Sequence, residues 1–156
     1  MNENSYHFTI GTYGTRLHGG NAPTVDRSQN QYGEPFVVRN EMQEAEMRHR
    51  MAEQAIYFSH EQRVFIENAI PEICEQGQWI YHIAACQPDH VHCLISSHVE
   101  PRKIRRWLKT WLTQRLNNQY GGRTWFVRDG SMKRIEDSRY FNNVVEYIRK
   151  QRATEG

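Results

Sequence analysis

No apolar run in the 156-residue sequence approaches the ~18 residues that a membrane span needs, and the N-terminus, MNENSYHF, lacks a basic segment followed by an apolar one. These absences predict a soluble, cytoplasmic protein. Cysteine is scarce: Cys74, Cys86 and Cys93 are odd in number, none forms a CxxC pair, and each sits among apolar residues. That excludes a disulfide framework and a thiolate zinc site and leaves three small core residues. There is no glycine-rich phosphate loop, because GTYG at 11–14 has too few glycines at the wrong spacing, so no nucleotide cofactor is expected. No repeat, low-complexity tract or linker divides the chain, and its length suits a single domain over 1–156.

Acidic residues are missing from one long stretch. Between Glu100 and Asp129 there are none, against eight Lys or Arg, whereas from Glu41 to Glu75 eight acids face three arginines. The net charge of +2 therefore conceals one basic and one acidic sector. A polyanionic partner on one face is expected.

What is present is a regular series of elements. YHFTIGTY, 6–13, alternates Tyr6, Phe8 and Ile10 with His7 and Thr9, the period of a half-buried strand. Residues 14–35 read as a long loop, 40–54 as a short polar helix and AIYF after them as an extended piece. Ser59 and Gln62 fit a capping box before a helix carrying Val64, Phe65, Ile66, Ala69, Ile70, Ile73 and Cys74, with a kink or restart expected at Pro71. WIYHIAAC, 79–86, and HVHCLIS, 90–96, joined by QPD, predict a hairpin. Pro101 opens a helix to about Asn118 with the stripe Ile104, Trp107, Leu108, Trp111, Leu112 and Leu116, which places both tryptophans in the core; Trp79 and Trp125 are not assigned. TWFVR and SMKRI read as two extended pieces, and 137–152 as a helix with Tyr140, Val144, Val145 and Ile148 on one stripe. The order strand, helix, strand, strand, helix, strand, helix is an α+β fold of the ferredoxin-like split βαβ type: an antiparallel sheet with helices on one face and an added C-terminal helix. Its first and third strands are central.

His90 and His92, two apart on a strand, share the side opposite Val91, Cys93 and Ile95 and lie roughly 6–7 Å apart along the backbone. Two such imidazoles can converge on one metal ion or be polar residues on a half-covered sheet. Tyr147 and Gln151, four apart on the last helix, can bring a phenol and an amide oxygen to one small volume. Gln is a hard oxygen ligand suited to Mg²⁺ or Mn²⁺, and tyrosine can attack a phosphodiester whose charge a metal neutralises. Taken singly, each also reads as an ordinary helix or surface residue. Asp89 can orient His90 or serve the turn after Pro88, and the turn reading is taken first.

PDHVHCLIS and YIRKQ together resemble the histidine-hydrophobe-histidine motif and nucleophile helix of single-tyrosine transposases of the insertion-sequence-200/605 class and their REP-associated relatives. HFTIGTYGTRLHG, LKTWLTQRLN and WFVRDGSMKRIED extend the resemblance over most of the chain. It implies a ferredoxin-like fold, Mg²⁺ or Mn²⁺, and single-stranded DNA near hairpins at element ends, acted on at the bacterial nucleoid. It also implies that His90, His92 and Gln151 take the places of the metal ligands and Tyr147 that of the nucleophile forming a 5′-phosphotyrosine. Members of the insertion-sequence type form a homodimer in which the tyrosine helix can serve the partner's histidines, whereas REP-associated members can act as monomers. Five residues follow Gln151, so the long C-terminal tail of many REP-associated members is not expected. Arg102, Lys103, Arg105, Arg106 and Lys109, with Arg123, Arg128, Lys133 and Arg134, are expected to neutralise DNA phosphates. The alternatives are a domesticated, catalytically inactive hairpin-binding protein and, more weakly, a metal-dependent hydrolase using water.

Overall fold

The computed structural model describes residues 3–15 and 55–154. The expected helix at 40–54, and the expected loop beyond residue 15, lie outside the described residues. Chain order is β1 (Asn4–Thr12), α1 (His60–Gly77), β2 (Ile80–Gln87), β3 (His90–Ser97), α2 (Pro101–Tyr120), β4 (Phe126–Ile135) and α3 (Ser138–Arg149). The sheet order β2-β3-β1-β4, with every neighbouring pair antiparallel, is the expected split βαβ plan. β1 and β3 are central, and β2, although it forms the predicted hairpin with β3, is an edge strand.

Alternation along β1 and β3 builds two cores. Tyr6, Phe8, Ile10, Val91, Cys93 and Ile95 face α1 and α2, which add Ile66, Ile70 and Ile73 and the four-residue ladder Ile104, Leu108, Leu112 and Leu116. Each fully buried side chain of this size stabilises the fold by roughly 1.5–3 kcal/mol. Ile83, Ala85, Leu94 and Ile135 face the other way and receive Val144 and Ile148 of α3. The two cores place α1 and α2 on one face, as expected, and α3 on the opposite one. β3 is therefore covered on both sides, and Val91–Ser97 is buried throughout.

Local signals explain most boundaries. The Ser59 hydroxyl accepts from Gln62 N at 3.2 Å and Gln62 Oε1 from Ser59 N at 3.0 Å, the predicted capping box. α1 then continues through Pro71 without restarting, because burial of Ile66, Ile70, Ile73 and Cys74 on either side outweighs the one hydrogen bond that proline removes. Residues 55–58 add no strand, but Ile56 N and Phe58 N donate to Tyr13 O and Pro88 O, and both side chains are buried. TWFVR and SMKRI join into the single strand β4, and Trp79 and Trp125 are buried. Trp107 is not core: it is 44% exposed, one position off the Leu108 ladder, and Trp111 is half-buried. α3 ends at Arg149 rather than Arg152, with Lys150 as its C-cap. All three cysteines are free and buried, and burial raises the Cys74 thiol to about 12 and drives Cys86 and Cys93 upward as well.

Candidate active site

β3 brings the two histidine side chains together immediately after the Pro88–Asp89 turn. His90 Nε2 and His92 Nε2 are 2.7 Å apart, with the rings edge-on at 87°. Behind them, His90 Nδ1 lies 2.7 Å from Asp89 Oδ1, so the carboxylate orients the imidazole while the Asp89 carbonyl accepts from Thr12 N and Oγ1. Asp89 thus serves both the turn and the histidine. His92 Nδ1 is 3.3 Å from Thr9 Oγ1, its cross-strand partner, and 3.3 Å from His7 Nε2. His92 is buried, and burial, then the neighbouring His90 and His7, push its pKa down to about 3 against the opposing pull of the Gln151 side chain and Asp89. It is neutral at ordinary pH and able to ligate. His7 is likewise lowered, by burial first and then by the Lys133 charge.

α3 brings Tyr147 over this cluster. Its ring stands edge-on to His92 at 5.5 Å between centroids and to His7 at 6.4 Å, and the residue is 52% exposed. An open cleft of about 520 Å³ runs beside it, bordered by His7, Thr9, His92, Lys133, Asn143 and Tyr147. Tyr147 is thereby both accessible and within reach of its own chain's histidines.

Gln151 arrives differently from the sequence expectation. It follows the helix, in a turn, so the two residues do not share a helical face. Its carbonyl accepts from Gln87 Nε2 at 2.8 Å and from Arg63 at 3.4 Å. Beneath it, Glu67, 1% exposed, accepts from Cys86 N at 2.8 Å, Ala153 N at 2.7 Å and Thr154 N at 3.0 Å. Arg63 Nε also donates to Cys86 O. Two α1 side chains therefore satisfy the backbone of Cys86 on the edge strand β2 and tie the post-helix segment across that edge. Sequence reasoning missed His7, Thr9, Arg63 and Glu67. The first two carry a signal, the polar alternation of β1, but Glu67 is an ordinary helix glutamate by sequence.

Among the described residues no group of three or more His, Cys, Asp or Glu could hold a metal ion. The expected donors are the two imidazoles and the amide of Gln151, whose side chain hydrogen-bonds His92. The imidazole spacing suits a divalent ion: nitrogens bound at about 2.1 Å and at right angles lie about 3.0 Å apart, within a few tenths of an ångström of the 2.7 Å observed. With the Nδ1 proton of His90 given to Asp89 and that of His92 to Thr9, both Nε2 lone pairs point into one volume.

The nine basic residues do not form one cluster. Arg102, Lys103, Arg106, Arg123, Arg128, Lys133 and Arg134 are exposed. Arg105 instead donates to Gly130 O at 2.8 Å, and Lys109 to the carbonyls of Val127 and Arg128, fastening α2 to β4. Lys133 borders the cleft, whereas Arg134, next along β4, faces the other side of the sheet. The α2 cations lie across the sheet from α3.

The family model described as IS200-like transposase matches residues 47–151. Among solved structures, a REP-associated tyrosine transposase bound to a REP hairpin is 11% identical at a TM-score of 0.49, over 93% of this chain and 64% of that one. A candidate transposase from Deinococcus radiodurans R1 is 13% identical at a TM-score of 0.48, over 97% and 93% respectively. The chain thus spans 64% of the length of the first and 93% of the second. No curated protein matches the sequence.

Proposed function

The chain belongs to the IS200-like transposase family, and we propose that it cleaves and rejoins single-stranded DNA at hairpin-bearing ends through a 5′-phosphotyrosine at Tyr147. The supporting observation is the meeting of an accessible tyrosine with a converging pair of imidazoles, 5.5 Å between the Tyr147 and His92 rings.

His90, His92 and Gln151 would hold Mg²⁺ or Mn²⁺, which supplies neutralisation of phosphate charge when bound. Asp89 and Thr9 fix the two imidazoles with their Nε2 atoms forward. Lys133, at the rim of the cleft, adds a positive charge where a DNA phosphate would lie. Tyr147 Oη forms the new bond to phosphorus as the bond to the 3′ oxygen breaks, the phenol losing a proton and the 3′ oxygen gaining one. The phosphodiester energy stays in the tyrosyl link, so rejoining, the same step reversed with a new 3′ hydroxyl, requires no nucleotide cofactor. Tyr147 stands over histidines of its own chain, which supports the reading in which the tyrosine serves its own histidine pair.

Incubation with Mn²⁺ and labelled hairpin-bearing single strands should give a covalent protein–DNA band on a denaturing gel. Tyr147→Phe should abolish that band while DNA binding persists. Binding without adduct by the unaltered protein across many hairpins would favour the inactive, DNA-binding alternative.

A further inference from the structure

Trp107 exposes 44% of its surface, a large apolar area left in water without a packing reason. It lies tilted against Trp111 at 5.2 Å and 31°, and Trp111 stacks in turn on buried Trp79 at 5.6 Å and 25°. Three indoles thus form a ladder whose inner end is fixed in the core and whose outer end is open. Lys103, Trp107 and Trp111 succeed one another at four-residue spacing along α2, and Arg102 and Arg106 form the adjoining row. These three cations are exposed, and no acid occurs between Glu100 and Asp129.

We propose that Trp107, backed by Trp111 and Trp79, is a stacking platform for an unpaired base of single-stranded nucleic acid, with Lys103 and Arg106 taking the flanking phosphates. A supported indole offers one rigid π-face at little entropic cost, and neighbouring cations select a polyanion over an apolar partner. The same cations oppose approach of a second copy of this basic face, and a fully paired duplex has no free base to offer. The platform lies across the sheet from Tyr147, so it would hold nucleotides remote from the cleaved bond. The inference rests on the DNA reading above and adds a second contact point to it.

The test uses the full chain, an unstructured 20-nucleotide oligothymidylate and a blunt duplex of equal length, followed by anisotropy and by quenching of tryptophan emission. Trp107→Ala should weaken oligothymidylate binding by about fivefold to a hundredfold, with the duplex affinity and the thermal midpoint unchanged. Trp107→Phe should recover most of the loss. Equal oligothymidylate affinity for Trp107→Ala and the unaltered protein would overturn the platform, and if the Tyr147 adduct still forms, the proposed function stands without it. Absence of any DNA binding by the unaltered protein would remove both. Self-association in sedimentation that Trp107→Ala abolishes would assign the ladder to a second copy and overturn the proposal.

Discussion

Ala153 N donates to Glu67 Oε2 at 2.7 Å, joining the chain two residues past Gln151 to a helix on the opposite face of the sheet. Glu67 accepts from three backbone N–H groups while almost wholly buried, and the Arg152 guanidinium lies 3.8 Å from its Oε1. Glu67→Gln removes the charge and places an NH₂ against backbone donors. It should lower stability by about 2 kcal/mol or more in urea unfolding. Below the unfolding range it should also weaken Mn²⁺ binding in calorimetric titration, because the segment that follows Gln151 loses its anchor at Ala153 and Thr154. Unchanged Mn²⁺ affinity in the folded variant would separate Glu67 from the site.

Acid should destabilise the fold through its histidines. His92 is held neutral to about pH 3, and His7 and His82 are also lowered, each chiefly by burial. Below the unfolded value of about 6.5, the unfolded chain takes up protons that the native site refuses. Stability is therefore fully present above pH 6.5 and falls as pH drops toward 3, by up to ~1.4 kcal/mol per pH unit for His92. Urea midpoints at pH 7 and pH 5 should diverge for the unaltered protein and diverge less for His92→Gln. Equal divergence would contradict this assignment.

Arg105 and Arg106 are adjacent in sequence but differently used. Arg105 reaches Gly130 O, whereas Arg106 is exposed. Arg105→Ala should cost about 1.5 kcal/mol of stability. Arg106→Ala should leave stability unchanged but flatten the salt dependence of single-strand binding by about 0.7 in log–log slope. Interchanged outcomes would show that the β4 contact is not what occupies Arg105.

Periodicity in the sequence carried the hairpin, the α1 capping box, the α2 ladder and the side on which His90 and His92 project, since each depends on neighbours within a few positions. The contacts that complete the site depend on strand pairing. Thr9 meets His92 and Lys133 meets His7 because β1 lies between β3 and β4; the element order predicts that neighbourhood, but no local pattern encodes the register that pairs these residues. Gln151 was visible as a candidate through its spacing from Tyr147, yet the helix stops two residues earlier and the clamp from Arg63, Glu67 and Gln87 places it. A helical stripe defines a face only to within one residue, so it places Trp107 in the core although one position decides between ladder and flank, and Trp107 is exposed.

Gly130 of β4 pairs with Ile10 of β1. A Cβ there would stand 2.5 Å from Thr9 O, a backbone atom that cannot move aside without shifting the strand that supports His92. Gly130→Ala should lower the thermal midpoint by several degrees and reduce Mn²⁺ affinity, whereas alanine at Gly122, whose Cβ meets nothing, should do neither. Equal behaviour of the two variants would show that β4 has slack at this position.

The most direct test of the central claim is mass spectrometry of the protease-digested covalent complex formed with Mn²⁺ and a hairpin-bearing single strand. The account predicts a peptide from the end of α3 carrying a 5′-linked nucleotide on Tyr147, lost in Tyr147→Phe and strongly reduced in His92→Ala. A nucleotide linked to any other residue, or cleavage products with free ends and no linked peptide, would contradict it.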